Sequence, residues 1–201
     1  MIYLDNAATS FPKPPAVARA MAGTLTRIGG NPGRAGHRLS LAGGRVIENC
    51  REMLCRAFGM SAPERVVFTH SCTESLNLAI RGTLYEGDEV LVSHAEHNAV
   101  MRVLKQYEAC GAISVRVLPP DGRGIVTRQA LECAISSKTA LCVLCHASNV
   151  TGVVQPVKRI ADALKPSGVP LLVDAAQTAG VLPVGLEILR ADMIAFPGHK
   201  G

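Results

Sequence analysis

The chain contains no tryptophan, and its three tyrosines and four phenylalanines hold the aromatic content of the 201 residues to 3%. Few stacking platforms are therefore available for single-stranded nucleic acid, and few anchors for a large aromatic interface. Like charges do not cluster either. Lys and Arg number 21 against 16 Asp and Glu, a net charge of +5, but they are scattered, with no basic run that would track a phosphate backbone. The apolar segments are broken by Gly, Pro or charge well short of the roughly 20 residues a membrane span requires. Asp5 interrupts the N-terminus before the apolar core of a signal peptide could form. There is no internal repeat or low-complexity tract, and neither G-x-G-x-x-G nor G-x-x-x-x-G-K-[ST] follows the first candidate strand. These absences disfavour nucleic-acid and membrane partners and generic nucleotide binding, and lead to the expectation of a cytoplasmic chain that handles small molecules.

What is present suits a core. The chain is 48% hydrophobic and 18% charged, and a domain of this size buries roughly 70% of its unfolded surface without disulfides or a structural metal. Seven cysteines, an odd and irregularly spaced set, fit a reducing compartment. Cys142 and Cys145 have C-x-x-C spacing, but in a strand such positions face opposite ways, so they read as small buried hydrophobes. No metal site is expected.

Short β-branched runs alternate with helical patterns, the pattern of an α/β layer fold with a mostly parallel sheet. Strands are expected at Arg65 to Thr69, Glu89 to Ser93, Ile113 to Leu118, Ala140 to His146, Pro170 to Asp174 and Met193 to Phe196. Helices are expected at about Ala16 to Ile28, Ser40 to Phe58, Thr73 to Arg81, Asn98 to Ala109, Thr127 to Ser136 and Val157 to Leu164. In such sheets ligands bind beyond the carboxyl ends of the strands. There the sequence offers Thr69-His70-Ser71-Cys72-Thr73, Ser93-His94-Ala95-Glu96-His97, His146-Ala147-Ser148-Asn149, Asp174-Ala175-Ala176-Gln177 and Pro197-Gly198-His199-Lys200.

Each string has a bland reading and a chemical one. Ser71-Cys72-Thr73 before a helix is an N-cap or, with the positive end of the helix, a phosphate cradle. Asp174 closes an apolar strand, so it is either a turn cap or a buried carboxylate that requires a cation, and a pyridinium nitrogen is one such cation. Lys200 ends an apolar segment, where desolvation would lower its pKa and fit it to form a Schiff base; its alternative is a surface lysine. His97 could stack on a planar ring or move protons, or serve only as a satisfied polar residue at a strand end.

Taken together, six strings resemble one family: Tyr3 to Ser10, Gly36-His37-Arg38-Leu39-Ser40, Phe68-Thr69 through Thr73 to Ala79, Glu96-His97-Asn98, Val173 to Thr178 and Gly198-His199-Lys200-Gly201. In order and over essentially the whole chain, they resemble the class V aminotransferases, and within them the cysteine desulfurase and selenocysteine lyase group. The resemblance implies a three-layer α/β sandwich with a mostly parallel mixed sheet, the large domain of an aspartate aminotransferase-like enzyme. Residues 1–15 would border the substrate pocket, and residues 16–201 would form the truncated cofactor-binding domain.

The cofactor implied is pyridoxal 5'-phosphate. Lys200 would bond it as a Schiff base and act as the proton-transferring base, Asp174 would pair with its pyridinium nitrogen, and Gln177 would hydrogen-bond its phenolic oxygen. His97 would stack on the ring and assist proton transfer, Cys72, Thr73 and His199 would hold the phosphate, and Asn149 would lie near the substrate carboxylate. Asn6 and Ala7, with Ala8, would border the substrate. L-cysteine or L-selenocysteine would be that substrate, a homodimer the assembly, and a sulfur-acceptor protein a possible partner in iron–sulfur cluster assembly. Rival readings are another class V lyase or aminotransferase, or a non-catalytic partner module.

Three departures from the family pattern matter. Ser71-Cys72-Thr73 stands where Gly-Thr-Thr or Gly-Ala-Thr is usual, and Pro197, which lacks an N–H, stands where many relatives carry a phosphate-binding Ser or Thr. The chain also stops one residue after Lys200, so the small domain, a carboxylate-binding Arg and the cysteine that receives sulfur are expected to be absent. None of the seven cysteines matches that nucleophile.

Overall fold

The computed structural model describes residues 2–34 and 36–201. The chain divides into two compact units, residues 1–67 and 68–201.

In the first unit, helix α1 (Pro15–Arg27) is followed by α2 (Arg38–Phe58) and a 3-10 turn at Pro63–Arg65. The first helical position of α1 is a proline, whose missing N–H costs nothing there. The His37 side chain caps α2 by accepting from the Ser40 N–H at 3.2 Å, which starts the helix two residues before the expected Ser40. Gly59 ends it at φ 66°, in the left-handed region that favours glycine. A Cβ on Gly43 would lie 2.8 Å from the Gly30 carbonyl oxygen, so the close approach of α2 to that loop requires a glycine at position 43.

The second unit carries the sheet. Its elements are α3 (Cys72–Thr83), β1 (Glu89–Ser93), α4 (Asn98–Ala109), β2 (Ser114–Leu118), α5 (Arg128–Ala134), β3 (Thr139–Cys145), α6 (Val157–Leu164), β4 (Leu171–Asp174), α7 (Leu186–Leu189) and β5 (Met193–Ala195). The strands lie in the order β2-β1-β3-β4-β5, and every pairing is parallel. Period-two alternation divides the strand residues between two helical layers. Val90, Val92, Leu141, Val143 and Leu172 join Leu76 and Ile80 of α3 and Val100, Val103 and Leu104 of α4 in one core. Leu91, Leu144, Leu171 and Val173, with Leu131 of α5 and Ile160 and Leu164 of α6, are equally buried, and α5 and α6 pack on β2 and β4. The result is the expected three-layer α/β arrangement.

Two expectations need correction. The sheet is not mixed among the described residues: all five strands run the same way. Arg65 to Thr69 is not a strand, because Arg65 closes the 3-10 turn and the following residues join no ladder. Val66 is extended, at φ −83° and ψ 113°, but an extended β-branched run becomes a strand only when a neighbour supplies hydrogen bonds, and none of the five strands does so.

Candidate functional site

From β1 the chain crosses to β2 on one side and then to β3 on the other, so the strand order reverses between β1 and β3. Ligands of open α/β sheets bind at such a point, beyond the carboxyl ends. The expected site residues of the second unit leave from those ends or from the loops beside them.

Asp174 is the last residue of β4 and is only 4% exposed. Its Oδ1 accepts the Ala176 N–H at 2.9 Å and the Cys72 thiol at 3.9 Å. Burial raises its pKa above the ordinary carboxylate value, opposed by the Ala176 N–H and by the positive potential of His97 and Lys200. Among the described residues, Asp174 takes part in no ion pair.

Helix α3 begins beside Asp174. Ser71 caps it, its hydroxyl accepting the Glu74 N–H at 3.2 Å, while Glu74 accepts the His70 N–H at 2.7 Å, close to a capping box. Thr73 is exposed in the first turn. The Cys72 thiol faces Asp174, so what Cys72 offers an anion at the helix start is its backbone N–H. Burial first, and then the Asp174 charge, pushes that thiol up to about 12. It is a neutral donor and no nucleophile at physiological pH.

His97 caps α4, its Nδ1 accepting the Ala99 N–H at 3.1 Å. That bond assigns the proton of a neutral His97 to Nε2. Lys200 is half-buried and His199 exposed. The segment after Lys200 is fixed by close packing: a Cβ on Gly180 would lie 2.8 Å from the Gly201 carbonyl carbon, and one on Gly201 would collide with the Ala179 carbonyl oxygen. Gln177 is half-buried in the turn after β4. Asn149 is exposed beyond β3. Asn6 and Ala7 are exposed in the first unit, where Asn6 Oδ1 accepts the Phe11 N–H at 3.1 Å.

Two residues given no role from sequence stand out at the same strand ends. His146 is buried and shares a 2.9 Å hydrogen bond with the buried Thr178 hydroxyl; burial lowers its pKa and keeps it neutral. Glu96 accepts the Cys145 N–H at 2.6 Å and the Ser93 hydroxyl. The sequence clue was a carboxylate directly before His97, in a strand-end string that otherwise supplied site residues. Among the described residues, no group of three His, Cys, Asp or Glu could hold a metal ion, and no helix is long and apolar enough to cross a membrane.

A buried strand-end carboxylate that takes part in no ion pair among the described residues, at the carboxyl edge of a parallel sheet from which His97 and Lys200 also follow, suits a cationic aromatic nitrogen. The chain matches the family described as aminotransferase class-V over residues 2–201 and belongs to it. Members of this family in general use pyridoxal phosphate, and the residues described here fit that group.

Within the family the chain is 38% identical over 205 residues to the cysteine desulfurase IscS of Serratia proteamaculans, covering 99% of this chain and 50% of that protein. To a probable cysteine desulfurase of Aeropyrum pernix it is 39% identical over 204 residues, covering 100% and 49%. Among solved structures, SspA in complex with cysteine superimposes with a TM-score of 0.92 at 30% identity, covering 100% of this chain and 58% of that one. The apo cysteine desulfurase of Thermococcus onnurineus NA1 gives 0.91 at 32% identity, covering 100% and 50%. The chain thus spans about half the length of the curated relatives it matches.

Proposed function

We propose that this chain is the cofactor-binding part of a pyridoxal-phosphate-dependent cysteine desulfurase. The observation that carries the reading is Asp174, a carboxylate buried at the end of β4 that takes part in no ion pair among the described residues. The cofactor, when bound, supplies an electron sink that eases loss of the amino acid's Cα proton. Asp174 would accept the pyridine N–H and keep that nitrogen positive. Lys200 would bond the cofactor through Nζ and exchange the proton at Cα. His97, with Nδ1 engaged in the α4 cap, would present Nε2 to the reacting atoms. Thr73, the Cys72 N–H and His199 would hold the phosphate, Gln177 the phenolic oxygen and Asn149 the carboxylate side. Asn6 and Ala7 are assigned to the substrate on motif resemblance.

The overall reaction would break the C–S bond of L-cysteine, pass the sulfur to an enzyme thiol as a persulfide and return a proton to carbon, giving L-alanine. The names of the relatives and a neighbour bound to cysteine favour L-cysteine over L-selenocysteine. A homodimer, a sulfur-acceptor protein for iron–sulfur assembly and a cytoplasmic location belong to the same proposal.

The test is an absorption spectrum of the protein with added pyridoxal phosphate, before and after borohydride, beside a Lys200→Ala control. A visible band that borohydride fixes to the chain, and that the control lacks, is expected. An identical band in Lys200→Ala would overturn the assignment of the lysine, and no band in the parent would overturn cofactor binding.

A further inference from the structure

Glu96 is unusual among the charged groups of this fold. Within β3 successive N–H groups alternate between neighbours: those of Cys142 and His146 donate toward β4, to the carbonyls of Pro170 at 3.0 Å and Asp174 at 2.9 Å. The Cys145 N–H therefore faces β1. There the ladder has run out, since the β1–β3 register ends at Val92 and Val143 and β1 itself ends at Ser93. Glu96 Oε1 replaces the absent strand carbonyl, accepting the Cys145 N–H at 2.6 Å across a sequence separation of 49. The Ser93 hydroxyl donates to the same oxygen and accepts the Ala95 N–H at 3.3 Å. The loop that delivers His97 is thereby fastened to the end of β3.

The other oxygen has nothing. Glu96 is partly exposed as a residue, yet its Oε2 is sealed from solvent and has no hydrogen-bond partner among the described residues. An ionised carboxylate spreads its charge over both oxygens, and one buried without a donor is costly. No cation compensates, because Glu96 takes part in no ion pair among the described residues. The titratable groups acting with it are the Asp174 carboxylate on β4 and the Cys142 and Cys145 thiols on β3, with His97 next in its own loop and Cys72 and Lys200 beyond Asp174. Burial drives both β3 thiols upward, so they stay neutral and donate no charge. Two neighbouring buried carboxylates cannot both ionise cheaply.

We propose that Glu96 is a positioning residue that carries a proton in the native protein, fastening the His97 loop to β3 while leaving Asp174 as the ionised carboxylate at the strand ends. Burial, with the Asp174 charge adding to it, pushes the Glu96 carboxyl from 4.5 up to about 8 against the hydrogen bonds from Ser93 and Cys145. The role of Asp174 toward a cofactor rests on the proposed function; the proton on Glu96 does not.

The decisive measurement is the infrared spectrum of the protein as encoded, without added cofactor, compared with Glu96→Gln and Asp174→Asn. A protonated-carboxylic-acid carbonyl band is expected at neutral pH, lost in Glu96→Gln and fading in the parent as pH rises through about 8. A band lost in Asp174→Asn but kept in Glu96→Gln would place the proton on the other acid and overturn the proposal, as would the absence of any band.

Stability gives a second readout. A carboxyl whose pKa is raised on folding favours the folded state below 4.5 and loses that contribution as pH climbs to about 8. The melting temperature of the parent should therefore fall across that window more steeply than that of Glu96→Gln, whose amide oxygen can still accept both donors. Parallel curves would contradict the proposal. Glu96→Ala should melt lower at every pH, and if it does not fold, Glu96→Gln alone carries the test. A parent that shows the infrared band but binds no pyridoxal phosphate would sink the proposed function and leave the Glu96 assignment standing.

Discussion

Helix α1 and strand β1 show how differently two regions of one chain are held. Every residue of β1 is buried, whereas α1 buries none of its 13 residues and exposes Val17, Met21 and Leu25, four apart on one face. Residues 68–201 enclose a core between two helical layers, while residues 1–67 bury only Ser40, Gly43 and Cys55 within their helices. The contrast separates a region whose stability is internal from one whose helix leaves an apolar face exposed.

Leu144→Ala should produce the largest effect, about 3 kcal/mol lost in urea unfolding, because Leu144 is fully buried in β3. Leu25→Ala, on a residue 80% exposed, should change stability by no more than ~0.5 kcal/mol. A loss at Leu25 matching that at Leu144 would show the α1 face to be covered in the assembled protein and would erase the contrast. A smaller difference is expected at the helix ends: Ser71→Ala removes the cap of α3 and should cost about 1 kcal/mol. Arg56→Ala, which breaks an exposed pair with Glu52 in α2, should stay within ~0.5 kcal/mol. Amide hydrogen exchange sharpens the comparison without mutation, with β1 and β3 expected to be the slowest segments and α1 among the fastest. Slow exchange throughout α1 would again point to a covered face.

The placement of the candidate residues at strand ends was more legible than the sheet's border. Asp174, Lys200 and His97 announced themselves because each follows or ends a recognisable apolar run, and strand ends are where an α/β sheet presents chemistry. The Arg65 to Thr69 run had the same local appearance as a true strand, but strand identity depends on a hydrogen-bonding neighbour. The contact of the Cys72 thiol was hidden for a similar reason: its partner, Asp174, lies 102 residues away along the chain.

By itself, then, the sequence determined the alternation of strands and helices, the cap at Ser71, and the strings that deliver polar groups to strand ends, because periodicity and capping act over a few residues. Only the tertiary structure decided that Asp174 is buried and, among the described residues, outside any ion pair, that His146 is satisfied by Thr178, and that Glu96 replaces the missing strand carbonyl beside Cys145. Burial, charge compensation and hydrogen-bond satisfaction depend on which distant segments meet, and local spacing along the chain does not encode that meeting.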